Sequence, residues 1–181
     1  MEPLPLGLAR SEILLDIVRH LNYTKFATLD EGTKILLTGA PDAVFQVTDG
    51  SILIADYKTA KFTPAQDRLL PTYRAQLNAY AAISERIGYG HVSRLALIYT
   101  EPVTDSAAAA ADEAHRVGGF DMGFSAHIVP VDLDLGMIQA LLESARTILD
   151  LPVPPAGRTG CKDCSKLESL VGLITAGSRS G

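Results

Sequence analysis

Two aspartates and a lysine, Asp42, Asp56 and Lys58, are the residues of this chain best suited to chemistry. If residues 51–58 form a β-strand, Asp56 and Lys58 project from the same face, roughly 7 Å apart. Two neighbouring carboxylates repel each other, and a divalent cation, which prefers oxygen ligands, removes that repulsion. A lysine beside the cation can stabilise charge on a phosphate or orient an attacking water. The set therefore predicts metal-assisted phosphodiester hydrolysis.

This chemistry requires a particular hairpin register. Residues 35–47 read as a strand that precedes the one carrying Asp56, and Thr48-Asp49-Gly50 between them is a turn signal. A three-residue loop would place Asp42 opposite Asp56 on one face, about 5 Å apart. A two-residue turn would instead pair Asp42 with Tyr57 and separate the aspartates, unless a bulge compensates. The metal-site hypothesis therefore predicts the three-residue loop.

The next helix, predicted at residues 72–87, offers further polar groups. Gln76 and Tyr80 are four residues apart and share one helix face, and Tyr73 lies on it too. If that face packs across the strand ends, these side chains could bind phosphate or hold a metal-bound water. The alternative is a solvated helix face with a half-buried tyrosine. For Asp56 and Lys58 the alternative is an ordinary salt bridge on an edge strand.

The elements that must position these residues follow from hydrophobic periodicity. Helices are predicted at 11–22, 72–87, 134–149 and 166–175, and strands at 35–47, 51–58, 92–100 and 124–131. This order predicts an α/β fold with a central mixed β-sheet flanked by helices. Residues 1–181 fit a single domain. We expect a flexible excursion near 102–123 and a disordered tail at 177–181.

Composition limits the classes of function. The chain is 47% hydrophobic and 20% charged, as in ordinary globular proteins. No apolar run is long enough for a membrane span, and Met1 to Pro5 do not resemble a secretory signal, so we expect a cytoplasmic protein. The formal net charge of −5 counts against a broadly basic nucleic-acid surface. A basic groove for DNA must then be local or be supplied by a partner, and metal ions bound by carboxylates would invert the local charge.

Three segments together resemble a known motif series: Gly39-Ala-Pro41-Asp42, Asp56-Tyr57-Lys58-Thr59 and Gln76-Leu-Asn-Ala-Tyr80. The series is similar to that of RecB-type PD-(D/E)XK nucleases, which include recombination helicase-nucleases and CRISPR-associated exonucleases. The resemblance implies a restriction-endonuclease-like core and Mg²⁺ or Mn²⁺ as cofactor. The implied metal ligands are Asp42, Asp56 and the backbone carbonyl of Tyr57, with Lys58 as the catalytic lysine. Gln76 and Tyr80 would lie near the DNA.

The sequence departs from that family pattern at two places. Many RecB-type members have a metal-binding histidine on the N-terminal helix, and His20 is the candidate here, with Glu12 or Asp16 as substitutes. Some relatives bind an iron–sulfur cluster through four cysteines. This chain has only Cys161 and Cys164, so a four-cysteine cluster within one chain is not expected. The pair is interpreted as structural or vestigial, or as half of a site shared across a dimer.

Two functions are consistent with these residues. The first is a metal-dependent DNA nuclease, in exonuclease form, acting alone or with a helicase or other DNA-processing protein. The second is a catalytically inactive binding or scaffolding subunit that keeps the fold. In that case the carboxylates would turn away from each other, or would pair with Lys or Arg, and Mn²⁺ would not bind.

Overall fold

The computed structural model of the protein describes residues 14–17, 25–63, 68–105, 107 and 115–177. Two compact units, Met1–Leu142 and Glu143–Gly181, divide the chain. The strands are β1 (Leu14–Ile17), β2 (Ala27–Asp30), β3 (Ile35–Thr38), β4 (Ala43–Val47), β5 (Ile52–Lys58), β6 (Val92–Pro102), β7 (His115–Arg116), β8 (Gly119–Phe120) and β9 (Phe124–Val131). The helices are α1 (Leu70–Arg86), α2 (Leu135–Leu149) and α3 (Lys162–Gly177).

A five-stranded mixed sheet in the order β1-β4-β5-β6-β9 forms the centre of the first unit. Strand β5 is the middle strand: it pairs antiparallel with β4 and parallel with β6. Strands β2 and β3 make a separate hairpin, and so do β7 and β8. The mixed α/β architecture predicted from the sequence is confirmed.

Alternation along β5 fills both faces of the sheet. Ile52 and Ile54 pack in a core cluster with Leu77 of helix α1, while Leu53 and Ala55 belong to a second cluster. Because side chains alternate along a strand, Asp56 and Lys58 follow Ile52 and Ile54 on the face that α1 covers. The helix thereby lies over the end of the strand that carries the polar residues.

Helix α1 has clear start and stop signals. Pro71 lies in its first turn, where the missing amide hydrogen costs nothing. Gly88, with φ of 66°, follows the last residues of the helix, and its amide donates to the carbonyl of Glu85 over 3.3 Å. This left-handed glycine ends the helix as the sequence predicts. The buried side chains of the helix lie between Leu77 and Ser84.

Some predictions of local structure are wrong. The predicted helix at 11–22 is contradicted at Leu14–Ile17, which forms β1 and pairs with β4; its other residues lie outside the described residues. A short apolar run fits either structure, and pairing with β4 decides for the strand. The predicted strand at 35–47 is broken at residues 39–42, so that β3 and β4 belong to different sheets.

The C-terminal half follows the predictions closely. Strand β9 has the predicted bounds, α2 begins one residue later than expected, and α3 extends the predicted 166–175 helix at both ends. In the excursion, residues 115–123 are exposed and include the β7-β8 hairpin, whereas 106 and 108–114 lie outside the described residues. The predicted disordered tail also lies outside them, except for Gly177, which ends α3. Across the described part of the chain, no helix is long and apolar enough to cross a membrane.

Candidate active site

The hairpin register brings the two aspartates together. Strand β4 pairs with β5 so that Ala43 lies opposite Ala55, and the amide of Val47 donates to the carbonyl of Ser51 over 2.8 Å. This is the register of the three-residue loop, and the alternative two-residue register is wrong. Asp42 directly precedes Ala43, so continuing the register places it across from Asp56.

A hydrogen bond anchors Asp42 at that position. Its Oδ2 accepts from the backbone amide of Tyr57 over 2.9 Å. The residue itself is exposed, whereas Asp56 is only 3% exposed. One carboxylate of the pair is therefore open to solvent, and the other is embedded in the sheet.

The buried carboxylate is satisfied by two partners. Asp56 forms an ion pair with the ammonium of Lys58, on the same strand. Gln76 of helix α1 donates through Nε2 to Asp56 Oδ1 over 3.2 Å. The salt bridge considered from the sequence exists, but it lies on the central strand of the five and not on an edge strand. A charged pair in the middle of a sheet is far costlier to bury than one at a surface edge.

The side chain of Gln76 connects the whole group. Its Oε1 accepts from Lys58 Nζ over 3.4 Å, and its Nε2 also donates to the hydroxyl of Tyr80 over 2.8 Å. Tyr80 is 8% exposed. The amide thus holds the buried carboxylate, the ammonium and the phenol in one hydrogen-bonded network.

Tyr73 completes the surroundings of the lysine. The Lys58 ammonium lies 4.0 Å from the centroid of the Tyr73 ring. A cation over the face of a tyrosine ring is attracted by the ring quadrupole. Lys58 is therefore held by a carboxylate, an amide oxygen and an aromatic face, and its side chain is 16% exposed.

The charges around Asp56 favour the binding of a cation at the Asp42–Asp56 pair. Burial raises the pKa of the Asp56 carboxyl, the ion pair with Lys58 opposes that rise, and the negative charge of Asp42 adds to it. A buried carboxylate beside a second one is stabilised by any further cation that reaches both. Carboxylate and carbonyl oxygens are the donors that Mg²⁺ and Mn²⁺ accept. The carboxylates of Asp42 and Asp56 are donors of this kind.

In the part of the chain that the structure describes, no further side-chain ligand is brought to the two aspartates. Among the described residues, no three side chains of His, Cys, Asp or Glu are grouped to hold a metal. His20 and Glu12 lie outside the described residues. Asp16 lies on β1, where it pairs with Gln46 of β4. A magnesium-like ion keeps several of its waters, so one or two carboxylates of the protein can be enough to bind it.

Gly39 is a part of the site whose role the sequence did not reveal. A Cβ added there would lie 2.5 Å from Cε1 and 2.6 Å from Cδ1 of Tyr80. The glycine therefore lets the tyrosine ring lie directly against the backbone. Phe26 meets the same ring edge-on, with 6.3 Å between centroids. The only sequence signal was the position of Gly39 at the start of the motif that ends in Asp42.

Comparison with known families decides the identity of the fold. A sequence model of the PD-(D/E)XK nuclease superfamily matches residues 8–167. The chain belongs to this superfamily. Pro41-Asp42 and Asp56-Tyr57-Lys58, which resemble the letters of the PD-(D/E)XK name, lie within the matched range. The restriction-endonuclease-like α/β fold implied by the sequence is confirmed.

Members of the PD-(D/E)XK superfamily are usually nucleases, which are hydrolases that typically use divalent metals. Membership therefore implies a nucleic acid as the molecule bound. A comparison with curated proteins gave no match.

Proposed function

We propose that this chain is a Mg²⁺- or Mn²⁺-dependent DNA nuclease of the RecB type, acting as an exonuclease. The observation that carries the proposal is the pairing of two carboxylates, one exposed and one buried, with a lysine held beside them. The resemblance of the three motifs to the RecB-type series supports DNA as substrate and cleavage from an end.

In this proposal Asp42, Asp56 and the Tyr57 carbonyl hold the ion. When bound, the ion supplies positive charge to the phosphate and a site for the attacking water. Asp42 can turn from the Tyr57 amide toward the ion, because its side chain is exposed and accepts a single hydrogen bond from that amide. Asp56 stays fixed, since the sheet and Gln76 hold it.

Lys58 is the catalytic residue of the proposal. Its ammonium already has a defined position, so little reorganisation is needed when charge develops on the phosphate. Donating a hydrogen bond to a phosphate oxygen, or to the incoming water, would stabilise that charge. Asp56 is the ion-pair partner of Lys58, and a bound cation would share that carboxylate.

Helix α1 would serve the site in two ways. Gln76 acts as a positioning residue, because its amide contacts Asp56, Lys58 and Tyr80 at once. Tyr80 is largely buried, so its influence on DNA would pass through Gln76. Tyr73 is half-buried and lies beside the lysine, where it can contact a strand that reaches Lys58.

The test is calorimetric titration with Mn²⁺, followed by cleavage of end-labelled single- and double-stranded DNA. We expect the wild type to bind Mn²⁺ and to shorten DNA from an end. Asp56→Ala should lose both properties, and Lys58→Ala should bind Mn²⁺ but not cleave. Asp132→Asn is a matched control, because that carboxylate is 90% exposed and remote in sequence from the site. Cleavage retained in Asp56→Ala or Lys58→Ala would overturn the proposed roles.

A second function is favoured by one observation. Asp56 is already paired with a lysine, as expected of a catalytically inactive scaffolding subunit in a DNA-processing complex. Such a subunit would associate with a helicase or another DNA-processing protein. It would bind no Mn²⁺ even when DNA is present, and it would leave labelled DNA intact. The same titration therefore separates the two functions.

A further inference from the structure

The two cysteines lie together at the start of helix α3. Cys161 directly precedes the helix, and Cys164 is in its first turn. Both are free thiols and both are partly exposed. The backbone amide of Cys164 donates a hydrogen bond to Cys161 Sγ over 3.4 Å. Cys161 therefore occupies the helix N-cap, with its sulfur over the first turn.

The segment before the helix packs closely on this pair. The amide of Cys161 donates to the carbonyl of Arg158 over 2.9 Å, and the amide of Gly157 donates to Glu168 over 3.2 Å. A Cβ added at Gly157 would lie 2.9 Å from the Cβ of Cys164. The loop that leads to Cys161 thus packs against Cys164, and the two thiols are held in a defined arrangement.

The environment favours the thiolate form of one cysteine. Hydrogen bonds from the amide of Cys164, from its thiol and from the amide of Asp163 lower the pKa of the Cys161 thiol. The thiolate is the nucleophilic form, and Cys-x-x-Cys pairs at helix N-termini are where it is stabilised. Cys164, three residues beyond Cys161, is placed to react with any group that Cys161 acquires.

A metal site is the weaker interpretation of the pair. Two thiolates supply half of the four ligands that Zn²⁺ takes. Within the described ranges no third Cys, His, Asp or Glu joins them in a group that could hold a metal. Reaction between the two sulfurs needs no further ligand.

We propose that Cys161 and Cys164 form a thiol–disulfide exchange site that takes small disulfides of the glutathione type. The Cys161 thiolate attacks one sulfur of the small disulfide, forming a mixed disulfide and releasing one thiolate. Cys164 then loses its proton to solvent and attacks the Cys161 sulfur. The intrachain disulfide forms and the second small thiolate leaves. The small disulfide gains two electrons, which the two cysteines lose.

The experiment treats the reduced full chain with glutathione disulfide, quenches with acid and measures intact mass. We expect the wild type to lose two hydrogens and to keep no adduct. Cys164→Ser should stop at one glutathione adduct, located on Cys161 by peptide mapping. Cys161→Ser should form its adduct on Cys164 on the order of tenfold more slowly, because that thiol lacks the N-cap amide.

The proposal would be overturned if the wild type forms no intrachain disulfide, whether it ends with two glutathione adducts or with none. Equal rates of adduct formation on Cys161 and Cys164 would also overturn it. Cys161→Ser keeps an oxygen acceptor at the N-cap, and Cys164→Ser leaves the N-cap side chain unchanged. Both variants should therefore retain α3, which circular dichroism checks. Brief alkylation of the wild type, followed by peptide mapping, compares the two thiols without any substitution. Faster labelling of Cys161 is expected there, and equal labelling would contradict the site.

Discussion

The carboxylate of Asp42 accepts a hydrogen bond from the backbone amide of Tyr57, with 2.9 Å between Oδ2 and the nitrogen. The bond crosses from the residue before β4 to the end of β5, beyond the last paired residues of the hairpin. It holds an exposed loop aspartate beside Asp56. A neutral side-chain oxygen is enough to accept this hydrogen bond. The contribution of Asp42 to the fold can therefore be separated from its contribution to metal binding.

Asp42→Asn should separate them. The asparagine oxygen can still accept from the Tyr57 amide, so we expect the melting temperature to stay close to that of the wild type. Removing one negative charge from the pair should weaken Mn²⁺ binding by at least about tenfold, since affinity for hard cations depends on ligand charge. Calorimetry and thermal unfolding measure the two quantities. Unchanged Mn²⁺ affinity would remove Asp42 from the ligand set.

Tyr73 offers a test of how Lys58 is held. Tyr73→Phe keeps an aromatic face 4.0 Å from the ammonium, whereas Tyr73→Leu removes it. A cation–π contact at a partly exposed site is worth about 1 kcal/mol. We therefore expect Tyr73→Leu to lower kcat about fivefold and Tyr73→Phe to change it little. Equal losses in both variants would instead indicate that the phenol hydroxyl contacts the substrate.

Gly39 should not tolerate even alanine. The added Cβ would lie 2.5 Å from the Tyr80 ring, so either the ring or the backbone must shift. Overpacking of this kind costs about 1–3 kcal/mol. Urea unfolding of Gly39→Ala should show that loss, and cleavage should fall because Tyr80 holds Gln76.

Gly50→Ala is an instructive comparison for Gly39→Ala. Its added Cβ would meet no atom within 4 Å, but its φ of 85° disfavours any side chain. Gly50→Ala should therefore lose stability through backbone strain while Gln76 and Tyr80 stay in place. If Gly50→Ala reduces cleavage as much as Gly39→Ala does, the close approach to Tyr80 is not the cause.

Asp30 should make folding stability depend on acid pH. Hydrogen bonds from the hydroxyl and amide of Thr33 hold its pKa below the ordinary value of 3.8, and Arg86 adds to the effect at 3.1 Å. Since the folded-state pKa is the lower one, the carboxylate stabilises the fold above the unfolded value. That contribution is lost as pH falls through the folded-state pKa.

Asp30→Asn should therefore lower the unfolding midpoint in urea at neutral pH, and the difference from wild type should shrink as pH falls below 3.8 and through the folded-state pKa of Asp30. Glu31→Gln is the control, because Glu31 and its partner Lys34 are largely exposed and should matter little. A difference between Asp30→Asn and wild type that stays constant across this pH range would contradict the assignment.

The site was predictable where local patterns sufficed. The turn at 48–50 left two hairpin registers open, and the metal-site hypothesis selected the observed one, which aligns Asp42 with Asp56. Helical spacing places Gln76 beside Tyr80. The internal partners of Gln76 were not predictable, because they depend on how α1 crosses the sheet. Gly39 was missed for the same reason: its contact with Tyr80 joins residues far apart in sequence.

The errors in the fold also have a physical cause. The run at Leu14–Ile17 is too short for periodicity to distinguish a strand from a helix, and its pairing with β4 is a long-range contact. The break between β3 and β4 occurs at Gly39 to Asp42, where Pro41 has no amide hydrogen for a ladder. The sequence pattern does not show that the strand before this break pairs in one sheet and the strand after it in another.

The central place of β5 also has a dynamic consequence. The backbone at Asp56 lies between two neighbouring strands, whereas Asp42 lies just past the end of β4. Amide hydrogens around Asp56 should then exchange with deuterium only when the sheet itself opens, while those near Asp42 exchange through small local fluctuations. The backbone at Asp56 should therefore open only when the sheet unfolds. The backbone at Asp42 can change conformation locally while the sheet stays intact.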